Sequence, residues 1–225
     1  MYMRNVFLRK LLLALTMVPA LAWAQVGPPD FATGDTWTYR EINGFNNIER
    51  AMVVRQVASV SGGMTQIQQL TQDGRIIDQT VLAGGVMRDG VLSDRAAGVL
   101  DPGLDLRPFP LKEGQTWSQK VSRNDRVWHD RRPVRVDGKV LGWETVRVPA
   151  GEFKALKLER QMYLGDGDPF RQETLRTETE WYVPELKAAA KLHVREFYRS
   201  GASPLGRLQS GDWYTQELTS FKRSN

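Results

Sequence analysis

The sequence contains no cysteine and only two histidines in 225 residues. The first absence removes disulfides, thiolate nucleophiles and cysteine zinc sites together, so the folded state rests on burial and hydrogen bonding. The second leaves only His129 and His193 for imidazole chemistry, and neither has another His at metal-ligand spacing. No Gly-x-Ser-x-Gly elbow supplies a nucleophile, and His193 sits between Lys191 and Arg195, which disfavour a protonated ring. A phosphate-binding glycine loop and a dinucleotide fingerprint are also missing. These absences argue against an enzyme and against a cofactor or metal, and make a hydrolase the least favoured function.

The one long apolar run stands at the start, in "MYMRNVFLRKLLLALTMVPALAWAQ". Arg4, Arg9 and Lys10 precede it, Pro19 interrupts it, and Ala22-Trp23-Ala24 follows as a small-x-small cleavage site. This pattern predicts a secretory signal peptide over residues 1–24, removed on export, with no transmembrane span left afterwards. The absence of a Cys after the run excludes lipidation at a mature N-terminal Cys, so the expected location is periplasmic or secreted. The leader carries three of the positive charges, so the formal net charge of +5 falls to +2 without it. That balance is not the basic footprint of a nucleic-acid binder.

Short alternating runs separated by turn residues fill the rest of the chain and predict antiparallel strands. Turns are expected at Ser61-Gly62-Gly63, Asp73-Gly74, Asp137-Gly138, Pro149-Ala150-Gly151 and Gly165–Asp168. In "TLRTETEWYV", Leu175, Thr177, Thr179, Trp181 and Val183 share one face, expected to look inward, and Arg176, Glu178, Glu180 and Tyr182 share the other. The stretch "ELKAAAKLHVREFYRS" supports a helix by composition and a strand by period two, and periodicity alone leaves both open. Residues 88–108 show no sustained period and read as an irregular connection.

The segments "ETVRVPAGEFKALKLER" and "TEWYVPELKAAAKLHVRE" resemble the TapB-like exported bacterial β-proteins of unknown function. The matching residues are Val148, Pro149, Ala150, Gly151 and Phe153, then Trp181, Tyr182 and Pro184, within a likeness covering roughly residues 117–197. The sequence departs at Glu185-Leu186-Lys187, where that family tends to place a Gly in the turn. The resemblance implies a curved antiparallel sheet like the half-barrels of the lipoprotein carriers LolA and LolB. It also implies that 186–199 is a strand, and it brings no established chemistry.

Two motifs invite a functional reading. "FATGDTWTYR" and "FPLKEGQTWSQK" both carry Gly-x-Thr-Trp, which suits a turn entering a strand with Trp as a core anchor; "SGDWYTQEL" at Trp213 is a fainter echo. Aromatics on a curved sheet also suit an acyl or glycan groove, which nominates Trp117, Trp143, Trp181 and Phe197 as ligand-lining residues. "KVSRNDRVWHDRRPVRV" nominates Arg126, Trp128, Arg131 and Arg132 as an anion or partner surface, against the plainer reading of a solvated hairpin. Asp166 and Asp168 fall short of a calcium loop and read as a turn, while Glu178 and Glu180 lie on one strand rather than across a cleft.

The expectation is therefore an all-β fold, a curved antiparallel sheet or open half-barrel, forming a single domain over 25–225. Its halves are expected at about 31–87 and 109–221. The expected role is non-catalytic: binding an apolar or amphipathic ligand, such as a lipid, on the concave face. The alternative is an assembly protein that docks an envelope partner through an edge strand or the Arg-rich hairpin.

Overall fold

The computed structural model describes residues 25–166, 168, 170–201 and 206–224; the expected leader lies outside them. The strands in chain order are β1 (Thr36–Asn43), β2 (Glu49–Ser61), β3 (Met64–Leu70), β4 (Ile76–Ala83), β5 (Val86–Ser93) and β6 (Ala96–Leu104). They continue with β7 (Thr116–Asp125), β8 (Arg131–Val148), β9 (Gly151–Tyr163), β10 (Arg171–Val183), β11 (Ala188–Ser200) and β12 (Leu208–Lys222). Each pairs antiparallel with the next, and β12 pairs back with β1, so the sheet is a closed twelve-stranded barrel. This corrects the expected open half-barrel. Closure follows from the fifteen-residue β12, which pairs with β11 and β1 at once and so covers both edges that an open sheet would expose.

Residues 88–108 are not an irregular connection, because most of them belong to β5 and β6. Gly90, Gly98 and Gly103 interrupt the side-chain alternation there, yet the backbone ladder continues, with Gly90 opposite Gly98. Asp137-Gly138 is likewise not a turn: β8 runs straight through it, and the β7–β8 turn falls at 126–130. Gly138 is glycine because the Trp117 ring crosses it, and a Cβ there would lie 2.2 Å from Trp117 Cζ2. The breaks at Ser61-Gly62-Gly63, Asp73-Gly74, Pro149-Ala150-Gly151 and Gly165-Asp166 do fall at junctions between strands.

Both Gly-x-Thr-Trp motifs are strand entries, at β1 and at β7, six strands apart. Trp37 is buried, meets Phe31 edge-on with ring centroids 6.0 Å apart, and donates from Nε1 to the Leu186 carbonyl at 2.8 Å. Trp117 packs into the core against both neighbouring apolar clusters. The motif is architecture.

Register decides which residues face inward. Trp117, Gly138, Arg160, Glu178, Val194 and Tyr214 lie side by side in one inward row across β7 to β12. Thr116, Lys139, Glu159, Thr179, His193 and Thr215 form an outward row. The faces of β10 are thus reversed from expectation: Arg176, Glu178, Glu180 and Tyr182 are buried inside, while Thr177, Thr179 and Trp181 look out. The outward row carries charge where a membrane barrel would carry an apolar band.

One end of the barrel is packed shut. Val26 bridges Leu111, Phe109 meets Tyr182 edge-on at 5.7 Å, and Tyr39 donates its hydroxyl to the Ala189 carbonyl at 3.0 Å. At this end a single 3-10 turn, Pro184–Leu186, leads into β11, which is a strand as the resemblance implied. The position after that turn needs a left-handed backbone, and Lys187 adopts it with φ 58° in place of the missing glycine. Its ammonium lies 3.0 Å from Oδ2 of the buried Asp35, which also accepts the Ala32 and Ser224 N–H groups at 3.0 Å.

Gly138→Val is expected to cost about 1–3 kcal/mol by forcing Trp117 off its seat, read as a lower urea midpoint at unchanged slope. Burial opposes the Asp35 charge, but its two backbone donors and Lys187 more than offset this and hold the carboxyl below its ordinary 3.8. Its contribution is therefore complete above that value and lost as pH falls through the lowered folded one. Asp35→Asn is expected to cost about 2–3 kcal/mol at neutral pH and to flatten the acid limb of stability against pH, measured by denaturation from pH 7 to 3.

Candidate functional site

The inward rows of β9, β10 and β11 hold a ladder of alternating charge. Arg107, from the β6–β7 loop, donates Nε to Glu180 Oε1 at 2.6 Å. Glu180 Oε2 lies 2.6 Å from Arg160 Nη1, a close ion contact without hydrogen-bond alignment. Arg160 Nη2 donates to Glu178 Oε2 at 2.7 Å, and Glu178 Oε1 accepts from Arg176 Nε at 2.7 Å. Arg176 then donates to Glu196 Oε1 at 2.7 Å and to the Tyr214 hydroxyl at 2.9 Å. Arg160, Arg176, Glu178, Glu180 and Glu196 are all buried.

Three guanidiniums and three carboxylates therefore neutralise one another inside the sheet. Burial raises the cost of each charge, yet Arg176 and Arg160 hold the Glu178 carboxyl down at about 2. Glu180 is held low in the same way by Arg107 and Arg160. Burial also opposes the charge on Arg160 and Arg176, but their acidic neighbours keep both protonated well beyond the ordinary arginine range.

The ladder forms one wall of a lumen cavity of about 600 Å³. The opposite wall, on β3, β4 and β5, is mixed, with Ile67, Leu82, Met87 and Leu92 set among Gln69, Asp78, Thr80 and Ser93. Its exposed lining residues, Arg50, Ile77, Val91 and Asp94, sit beside the β1–β2, β3–β4 and β5–β6 turns, all at one end of the barrel. That end is the mouth, and the packed end is the floor. Near the mouth, carboxylate oxygens of Asp94, Glu196 and Asp212 come within 4.8 Å of one another. Burial pushes Glu196 and Asp212 up, Asp212 further because of Asp94. Arg176 already pairs with Glu196 and Arg171 approaches Asp94 at 3.5 Å, so guanidiniums surround this trio.

The residues nominated from sequence do not converge. Trp117 faces inward into the core, and Trp143 shares the inward row of Leu156 and Tyr182 near the packed end, with Lys154 5.3 Å from its ring centroid. Trp181 points outward between Lys157 and Lys191 and bonds Glu144, and Phe197 lies on the outer wall of β11. In the β7–β8 hairpin Arg126 pairs with Asp89, Arg131 with Asp101 at 3.0 Å, and Arg132 with Asp130, while Trp128 is exposed.

His129 occupies that turn and His193 the outer face of β11, 3.0 Å from Thr215 Oγ1. Burial, then Lys191 and Arg195, lower the His193 pKa. Asp166 accepts the Thr174 N–H, and Asp168 accepts the Phe170 N–H and pairs with Arg95, so both stabilise a turn. The ladder itself was missed. Its signal was Arg or Glu at every second position, in "RTETE" and again at Arg160 and Glu196 on the flanking strands.

No family model matches the chain, and no curated protein matches it in sequence. Among solved structures it is similar to a candidate exported protein with a YmcC-like fold from Bacteroides fragilis NCTC 9343. That match has TM-score 0.51 and 13% identity over 89% of this chain and 100% of the other. It is also similar to a candidate lipoprotein from Parabacteroides distasonis ATCC 8503, with TM-score 0.50 and 13% identity over 88% and 99% of the two chains. The likeness is one of fold. It agrees with the resemblance to all-β proteins of unknown function, without supporting the TapB name, and it lends nothing to the expectation that a lipid anchor is absent.

Glu178→Gln is expected to cost about 3–5 kcal/mol at neutral pH, because it leaves two buried guanidiniums short of a carboxylate. In the parent protein the Glu178 contribution is full above its ordinary 4.5 and disappears between there and about pH 2. The loss of stability measured for the variant by urea denaturation is therefore expected to shrink steadily over that interval.

Proposed function

We propose that the protein is an exported, non-catalytic component of the bacterial cell envelope that holds a small amphipathic ligand in the lumen of its barrel. The observation that carries this reading is the cavity itself: aliphatic side chains from β3 to β5 facing a wall of fixed charge, a shut floor and a mouth at one end. A volume of about 600 Å³ lies within the range of small-molecule sites. The concave face expected to bind ligand is, in a closed barrel, this lumen. The leader pattern of residues 1–24 supports export, as do the names of the structural neighbours.

Docking of a partner on an edge strand is not favoured, because the closed sheet has no free edge. The Arg-rich hairpin is a weak alternative, since its guanidiniums are taken up by Asp89, Asp101 and Asp130.

Native mass spectrometry of protein purified gently from its own envelope is expected to show an added mass that disappears on denaturation. Thr80→Trp, which fills the lumen from β4, is expected to abolish the adduct, and Thr179→Trp on the outer wall to leave it. A bare mass in the parent, or an adduct indifferent to Thr80→Trp, would overturn the lumen reading.

A further inference from the structure

The outer wall carries a second, independent groove of about 740 Å³. Register aligns Lys120, Arg135, Tyr163, Leu175 and Phe197 in one outward row across β7 to β11. Read along the row, the order is cation, cation, aromatic, aliphatic, aromatic. Leu208, at the start of β12 and opposite Arg199, also lines the groove. The neighbouring outward row, Ser118, Asp137, Gln161, Thr177 and Arg195, is polar from β7 to β11 before it reaches Trp213 on β12, so the apolar strip over these strands is a local feature of the wall. Tyr163 is 44% and Leu208 65% exposed, two large apolar side chains left open within the lining of one groove.

We infer that this groove binds a single-chain amphiphile with an anionic head group, as a free monomer. Asp166, Glu173 and Arg199 also line the groove, but Glu173 pairs with Arg199 at 2.6 Å and Asp166 accepts the Thr174 N–H, so the cation end of the row sets the direction. Arg135 is paired with Asp137 at 2.8 Å, whereas Lys120 makes no ion pair among the described residues and stands at the end of the row as the available cation. The chain then lies over Tyr163, Leu175 and Phe197. Four interstrand spacings of about 4.8 Å give a track of roughly 19 Å from the head-group end to Phe197, suited to a long acyl chain. Arg195, 4.6 Å over the Phe197 ring, closes the far side of the strip.

The test uses dodecanoate as the probe, titrated calorimetrically into the purified protein below its micellar concentration. Dodecanoate is expected to bind about tenfold or more tightly than dodecyltrimethylammonium, which has the same chain and the opposite head charge. Lys120→Glu, at an exposed position, is expected to remove that preference without changing the melting temperature. Phe197→Ser is expected to weaken both probes by about tenfold. A photoreactive dodecanoate is expected to label β9 to β11 from outside. Label on the inward residues of β3 to β5 would overturn the proposal in favour of the lumen, whatever the outcome for the lumen ligand. Equal affinity for both head groups would overturn it. So would co-sedimentation with phosphatidylglycerol vesicles without binding of monomeric dodecanoate, which would make the strip a membrane-docking face.

Discussion

A twelve-stranded closed sheet encloses more space than aliphatic side chains can fill. Eight strands leave an interior that apolar residues pack completely, and the diameter grows with every strand added. Here the extra width is spanned by the longest side chains available, arginine and glutamate. Once inside, each must find a partner, because an isolated buried charge would cost several kcal/mol. The run from Arg107 through Glu180, Arg160, Glu178 and Arg176 to Glu196 is the result, and the cavity is the space it does not reach.

This geometry explains why the faces of β10 were misjudged. The period of two in "TLRTETEWYV" was legible, and so was the strand. The rule that the apolar side looks inward assumes a narrow core. In a wide barrel the polar side is enclosed and Thr177, Thr179 and Trp181 are left outside. The clue was relational: acids on β10 match an arginine on β9 and alternate with an arginine of their own. A reading of one strand at a time does not expose it.

Other misses have equally specific causes. Asp-Gly is a strong turn signal, but Gly138 answers to a ring arriving from the neighbouring strand, and no local pattern announces that. Closure depends on β1 meeting β12, a pairing between the two ends of the described chain. The segment 188–200 was ambiguous by composition, and the resemblance to exported β-proteins pointed to the strand that it forms. The missing glycine before it is compensated by Lys187, held in a left-handed turn by a buried Asp35. Of the nominated aromatics, Phe197 alone lines either of the two large cavities, and it does so on the convex side.

The pairing of β1 with β12 also governs when the molecule can form. For any chain delivered N-terminus first, through a ribosome or a membrane pore, β1 keeps one side of its backbone unpaired until residues 214–222 have emerged. Arg160 and Arg176 meet their acids early, but the Tyr214 end of the ladder and Gln216 arrive last. Most contacts in the sheet are between sequential strands, so hairpins can accumulate along the way. The seam cannot. Assembly of the closed sheet is thus postponed until the last strand has been delivered, and the chain stays threadable up to that point.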